Sequence, residues 1–473
     1  MTRNLKILIF GFMLGQMLVM PAQVSIDIAH DRLVVEKIII QGNRITKEPV
    51  ILRELLFDVG DTILKMELLS VFQRSRENLL NTSLFNFVRF DATHNPGNRI
   101  NVYINVTERW YIWPVPILEY AERNFSTFIK NREWDKINYG AWLKWNNFRG
   151  RNEIVTGKIR LGYINEYALS YNKPNMGRKQ QHGVSIGFNL NQQNEVFVST
   201  KNNIPVEYKP EEKPAQIRLN AFSNYTYRRK LYTTHSLRFE YFSFRVSDSV
   251  AIYNPNYLGE ARNNLGYFVL TYNFIHDVRD SKIYPLDGFA IRLRAEQMGL
   301  GIIPDFPYRN FRLTGLLMFH QELASRIYFT NATKVRYSSE KIMPYSLGRA
   351  LGYNEFMSGY ESYVMDGSDY FISKYLLKLQ LVKPRIQNIP FIKMEQFNKV
   401  HYAVYINAFV DAGFVNNEFP DPTNTMVNTW QFSTGLGIDF VTYYDQVFRI
   451  DFAINRYREH GVFFHIETPF LRW

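Results

Sequence analysis

From about residue 137 to the end, apolar and polar residues alternate in short runs separated by polar or Gly/Pro-containing turns. In Phe289–Glu296, Phe289, Ile291, Leu293 and Ala295 share one face, and Arg292, Arg294 and Glu296 share the other. In Phe448–Asn455, Phe448, Ile450, Phe452 and Ile454 oppose Arg449, Asp451 and Asn455. Val404, Ile406, Ala408 and Val410 likewise oppose Tyr405, Asn407, Phe409 and Asp411. A period of two marks strands whose faces meet different surroundings. Charges of both signs on one face of many strands fit the wall of a wide polar lumen better than a flat sandwich face in bulk water. The runs are 138–148, 152–164, 166–173, 182–190, 193–200, 215–228, 234–247, 265–277, 288–298, 309–320, 323–336, 369–382, 400–412, 429–440, 445–456 and 460–468. They number sixteen, an even count that lets an antiparallel barrel close. The gap at 337–368 is too long for a hairpin loop and is a candidate functional insert.

Residues 33–107 have a different texture. Leu33–Ile40 is a β-branched run ended by the turn pair Gly42-Asn43. Thr46 is placed to cap a short helix with Pro49 in its first turn and Val50, Leu52, Leu55 and Leu56 on its apolar side. A second helix carries Leu68, Leu69, Phe72, Leu79 and Leu80. Two strands, Phe85–Phe90 and Ile100–Val106, flank the turn Asn95-Pro96-Gly97-Asn98. The order β-α-α-β-β makes one compact α/β domain.

Composition sharpens this picture. The 473 residues include 31 Tyr and 37 Phe, yet the mean hydropathy is −0.26. High aromatic content with mild polarity suits a transmembrane barrel, whose two strand faces average out, although a large soluble β protein remains an alternative. The formal charge of +12 forms no compact basic cluster, so a basic lumen or an anionic membrane surface accounts for it, and nucleic acid is not implied. With no cysteine, disulfides and thiolate chemistry are excluded. At the N-terminus, Arg3 and Lys6 precede an apolar run from Ile7 to Met20, too short to span a bilayer but suited to a signal peptide over residues 1–23. An exported protein is expected.

Three stretches, LVVEKIIIQGNRITKEPVILREL with NLLNTSLFNFV, TERWYIWPVPILEYAERNF and HDVRDSKIYPLDGF, resemble in order and spacing the BamA/TamA family of outer-membrane assembly proteins. The resemblance implies a mainly β fold: a sixteen-stranded antiparallel transmembrane β-barrel over 137–473, preceded by one small POTRA domain at 33–108 and a junction at 109–136. It also implies that 337–368 is a loop folded into the lumen and carrying a Val-Arg-Gly-Phe/Tyr motif. Met357-Ser358-Gly359-Tyr360 aligns with that motif, with Ser358 where the family has Arg; Asp366 and Gly367 close the stretch. The family's acidic wall partner matches Asp411, followed by Gly413. Arg349 is a candidate to replace the missing cation, or else Ser358 bonds the wall and Tyr360 and Tyr363 hold the loop by packing.

By the same resemblance, the protein sits in the bacterial outer membrane with its POTRA domain in the periplasm. It would insert or translocate unfolded outer-membrane or secreted polypeptides, with periplasmic or lipoprotein partners at the POTRA domain, and need no cofactor. A single POTRA domain suggests an accessory or specialised member. Pro469 near the last strand is compatible with a weak seam, though a terminal proline also simply ends a strand. The terminal Phe470-Leu471-Arg472-Trp473 looks like the signal of a barrel protein that itself needs assembly. Other classes remain open: a structural scaffold barrel, or a passive or partner-secretion channel. An outer-membrane hydrolase finds little support, since the nine histidines form no Ser-His or Asp-His constellation, His276-Asp277 and His460 being turn-like. No metal or phosphate motif is present either.

Overall fold

A computed structural model describes residues 32–120, 137–390, 392–442 and 444–466. The signal-peptide stretch, part of the junction, Pro469 and the terminal Phe470–Trp473 lie outside the described residues.

The N-terminal domain comprises β1 (Arg32–Gln41), α1 (Glu48–Leu52), β2 (Thr62–Leu64), α2 (Leu68–Leu80), β3 (Phe85–Asn95) and β4 (Arg99–Glu108). Its sheet runs β2-β1-β4-β3, with β1 and β4 parallel. The extra strand β2 was invisible to periodicity because its three residues are too few to alternate. Val35, Ile51, Leu79, Phe85, Ile100 and Ile104 are fully enclosed and form the core beneath both helices. Leu69, expected in that core, is 80% exposed.

The second domain is one sixteen-stranded antiparallel sheet. Its strands are β5 (Ile112–Tyr120), β6 (Ile137–Phe148), β7 (Glu153–Gly162), β8 (Ile164–Met176), β9 (His182–Gln193), β12 (Gln216–Tyr227), β13 (Thr233–Val246), β14 (Asn264–Asp277), β15 (Gly288–Met298), β16 (Asn310–Ala324), β17 (Ile327–Ser338), β20 (Asp369–Asn388), β21 (Lys399–Asn416), β22 (Gln431–Thr442), β23 (Val447–Asn455) and β24 (His460–Ile466). The large apolar residues point outward, with Leu436 60% and Val462 70% exposed, while Asp411, Arg449 and Asp451 are sealed inside. That inverted polarity belongs to a barrel in a bilayer.

Two expectations need correction. The stretch 193–200 is not a wall strand: β9 pairs directly with β12, and β10 (Val196–Lys201) folds onto β11 (Ile204–Tyr208) as a separate hairpin. Its tip reaches across the far mouth, where the Asn203 carbonyl accepts the Val364 N–H at 2.8 Å. The hairpin alternates like a wall strand because one side packs on Tyr257, Leu258 and Val250 of α3 (Asp248–Tyr253) and the loop after it. Conversely, Ile112–Tyr120, expected in the junction, is the first wall strand and pairs with β6 over its whole length. Pro114 and Pro116 disguised it. The two shifts offset, so the long insert still falls between the eleventh and twelfth strands.

The sheet curls so that the start of β5 meets the turn between β22 and β23. Trp110 N–H donates to Tyr444 Oη at 3.2 Å, and the Trp113 ring stands edge-on to Tyr444 at 5.0 Å. Arg109 grips Asp445 with both terminal nitrogens, at 2.8 and 3.0 Å. Among the described residues, however, no backbone pairing joins β5 to β24.

The N-terminal domain lies across the near mouth. Thr46 is not a helix cap, since Lys47 holds that position without a side-chain bond. Instead the Thr46 hydroxyl meets Tyr111 Oη at 3.0 Å and accepts from Asn147 Nδ2 at 2.8 Å, tying the domain to the barrel. Buried Glu54 takes Arg228 Nη1 and Nη2 at 2.6 and 2.8 Å. Burial first, then Arg228, lowers the neighbouring Arg53 guanidinium to about 10, so Glu54 keeps two crowded cations in place. Glu54→Ala should weaken the docking by about 2–5 kcal/mol, because it strands a partly enclosed guanidinium. Faster hydrogen exchange in Glu48–Leu52, with the sheet of the N-terminal domain unchanged, is the expected result.

Candidate functional site in the lumen

The insert between β17 and β20 is a pinched hairpin. Its short strands β18 (Arg349–Leu351) and β19 (Met365–Asp366) pair at the base, and Gly352 turns with φ +91° where a Cβ would strike the Tyr363 carbonyl. Beyond that base the chain dives into the barrel. Lys334 of β17 anchors the descent by donating to Glu355 Oε1 at 2.7 Å, with both side chains buried.

Met357 and Tyr360 at the tip are each 1% exposed. Met357 fits because Gly413 on the wall has no side chain: a Cβ there would sit 2.4 Å from Met357 Sδ. Gly359 adopts φ +79°, and its Cα faces Ala453 so closely that a Cβ would lie at 3.4 Å. Its carbonyl accepts Asn455 Nδ2 at 3.0 Å. Tyr360 Oη lies 3.1 Å from Gln431 Oε1 and 3.0 Å from the Phe432 carbonyl, and accepts the Arg456 N–H at 3.3 Å. Tyr363 Oη donates to Glu459 Oε1 at 2.8 Å. The tip is thus clamped to β21, β22 and β23 together.

Asp411 is the wall carboxylate, 1% exposed. Oδ2 accepts the backbone N–H of Ser358 at 2.9 Å and lies 3.3 Å from Lys374 Nζ. Lys374 is the direct cross-strand partner of Asp411 on β20, and its ammonium also sits 5.4 Å from the Phe356 ring centroid. A wall lysine, not a loop cation, thus faces Asp411. Ser358 contributes its amide to Asp411.

Arg349, the expected replacement, does not fill this role. It stacks on Tyr353 at 4.9 Å in the base of the hairpin, and its carbonyl accepts Arg336 Nη2. Asp366 and Gly367 also lie at the base: Asp366 accepts Tyr353 Oη at 2.6 Å, and Gly367 N–H donates to the Gly348 carbonyl at 2.8 Å. Sequence reasoning missed Lys374, Phe356, Gln431 and Asn455. The alternation of KYLLKLQL places Lys374 and Lys378 inward, but only the β20–β21 register puts Lys374 opposite Asp411.

A second insert enters from the near mouth. The β14–β15 turn, residues 278–287, carries Tyr284 against the opposite wall, where its Oη donates to Asp439 Oδ2 at 2.7 Å. Lys378 Nζ donates to the Pro285 carbonyl at 3.2 Å and lies 4.2 Å from the Tyr284 ring centroid. Gly288 ends the turn at φ +94° and launches β15, whose Phe289 and Leu293 face outward. Two charged layers result, Lys374–Asp411 under the loop and Lys378–Asp439–Arg449 around the turn. His276 meets Thr233 at 2.9 Å, and no metal-ligating group of three occurs among the described residues.

Lys374→Met should leave Asp411 enclosed without its cation and cost about 3–5 kcal/mol. Adding Ser358→Arg to that variant should recover part of the loss, by returning a cation to the loop. Chemical denaturation of the purified barrel checks both, with the double variant expected between Lys374→Met and the native protein.

Residues 147–370 match the Omp85 superfamily domain, and residues 33–109 match the POTRA model, described as surface antigen variable number repeat. No curated protein matches the chain. Among solved structures, BamA from Haemophilus ducreyi lacking POTRA domains 1-3 superposes with a TM-score of 0.50 at 14% identity, covering 92% of this chain and 84% of that one. CdiB from Escherichia coli superposes with a TM-score of 0.54 at 9% identity, covering 92% and 76%. Both likenesses concern the fold.

Proposed function

We propose that this chain, an Omp85 superfamily protein with a single POTRA domain, is an outer-membrane assembly factor that passes polypeptides through its barrel seam. The edge of β5, unpaired among the described residues, carries this reading. Proline fits a paired strand only where its nitrogen points away from the ladder. Pro114 and Pro116 are two residues apart on a strand fully paired with β6, so both nitrogens face the seam. The edge lacks two donors there. Closing it against β24 forgoes the bonds those two nitrogens cannot donate, at about 0.5–1.5 kcal/mol per bond.

A chamber of about 1170 Å³ opens beside this edge on the POTRA side, lined in part by Trp110, Trp113, Trp142, Lys144 and Lys282. It gives an extended client aromatic and cationic surface before it meets β5. The POTRA sheet offers β2 and β3 as outer strands for β-augmentation. A passive conduit is disfavoured because loop and turn enter the lumen from opposite mouths and are anchored to the same wall. One POTRA domain presents few docking surfaces, which suits an accessory or specialised member serving a subset of clients.

Cysteine pairs scanned between Ile112–Tyr120 and His460–Ile466 test the reading in a chain with no native cysteine. Locking the seam should lower the level of folded barrel proteins, and reductant should restore it. A locked barrel that supports assembly fully would remove lateral opening from its work and favour a scaffold.

A further inference from the structure

We propose that the outer face of β12 holds one anionic phospholipid of the leaflet at the near mouth, with its phosphate among the basic turns and its acyl chains along the strand. Charge that is dispersed along the sequence is gathered here by two neighbouring turns. Arg178 and Lys179 sit in the β8–β9 turn, and Arg228, Arg229 and Lys230 in the β12–β13 turn. The turns are bonded to each other: Arg228 N–H donates to the Gln181 carbonyl at 2.7 Å, and Gln181 Nε2 donates to the Arg229 carbonyl at 3.1 Å. With α1 of the POTRA domain they enclose a cleft of about 440 Å³, to which Arg53 and Asp58 also contribute. Six cations thus line the cleft against a single carboxylate, and the buried Glu54 behind them already accepts from both terminal Arg228 nitrogens. Arg178, Lys179, Arg229 and Lys230 are exposed and form no ion pair among the described residues.

From these turns into the bilayer, the outer wall continues as an aromatic rim and then a groove. His182 Nδ1 meets Tyr225 Oη at 2.6 Å, and the Tyr227 ring lies 5.3 Å from that imidazole, forming the kind of amphipathic belt found at headgroup depth. Farther in, Ala221 pairs with Phe188 and Tyr241, and Ser223 with Ile186 and Phe239. Small residues flanked by large ones leave a channel of about 600 Å³ along β12. Ala221 precedes Arg228 by seven residues, which at about 3.3 Å per residue on a strand tilted by about 45° is about 16 Å of depth, or half of a ~30 Å hydrocarbon core. The groove therefore has the depth of one leaflet. It opens to lipid and not to the lumen, since Ile186, Phe188 and Phe239 are all exposed.

An amphiphile with one anionic head and apolar tails matches this succession of surfaces. An acidic polypeptide segment matches the turns alone and leaves the groove unfilled. Because Arg53 belongs to the POTRA domain and the other five cations to the barrel, a phosphate shared between them ties the two together. The inference rests on the barrel lying in a bilayer and not on what its seam passes.

The test titrates the full chain, purified in a neutral detergent and stripped of lipid, with phosphatidylglycerol, phosphatidylethanolamine or inorganic phosphate, and counts what stays bound by native mass spectrometry. One phosphatidylglycerol per chain should be retained, about fivefold or more tighter than phosphatidylethanolamine, the worth of one charge near an anionic surface. Arg229→Gln combined with Lys230→Gln should weaken phosphatidylglycerol by about fivefold or more and phosphatidylethanolamine much less. Ser223→Trp, which fills the groove and leaves every charge in place, should weaken both lipids. Lys201→Gln at the far mouth should change neither. Equal retention of the two lipids, or no effect of the turn and groove variants, would overturn the inference. So would displacement of the lipid by inorganic phosphate, which marks a free-phosphate site, or by a polyglutamate peptide, which marks a polypeptide site. Heat-modifiable mobility confirms that each barrel compared is folded. Because no client enters the experiment, its failure leaves the assembly reading standing.

Discussion

Charges sealed inside a barrel must be neutralised by groups within reach, because the wall offers no bulk water to solvate them. Asp411, Asp439, Asp451, Lys374, Lys378 and Arg449 all project inward from β20 to β23 and are buried. Their closest pairings span two strands or join a strand to an insert. Lys374 bridges β20 to β21, Arg449 bridges β23 to β22, and Tyr284 ties the near-mouth turn to β22. This side of the barrel is therefore cross-linked by electrostatics as well as by its ladder. Separating any one pair exposes a bare charge to a poor solvent.

The seam obeys the opposite rule. The first strand carries two prolines; near its start the Trp110 N–H bonds Tyr444 Oη and the Trp113 ring stands edge-on to Tyr444 in the β22–β23 turn, and no backbone pairing joins β5 to β24 among the described residues. The described residues thus concentrate charge pairing in the wall that holds the loop and show none of the ladder between β5 and β24. Lys374 supplies the charge opposite Asp411, and Ser358 contributes only its amide.

Much of this was legible in the sequence. Clean alternation revealed the barrel and the inward charges of β15, β21 and β23, because a period-two pattern survives wherever one face meets lipid, while the strand count of sixteen came out right only because one run wrongly included offset one strand missed. The insert was legible as a gap too long for a hairpin loop, and its place in the lumen only through the family resemblance. Where reading failed, the cause was local. Pro114 and Pro116 suppress a strand signal, yet at an edge they are compatible with one. The 193–200 run imitates a wall strand because a hairpin packed on one side has the same periodicity. Thr46 has the residue type of a cap but spends its hydroxyl on the barrel. Lys374 could not be assigned, since a cross-strand pair depends on register, which no single strand encodes. Arg349 was nearer in sequence and is elsewhere in space.

The central claim is that the barrel yields at the β5–β24 junction because proline strips that edge of donors. Spin labels at Leu118 and Val462, both outward-facing and exposed, report the width of the seam in liposomes. The account predicts a distance distribution with a separated population, which narrows to a single short distance when Pro114 and Pro116 are replaced by Val. A single narrow distance in the native protein, unchanged by those replacements, would contradict it.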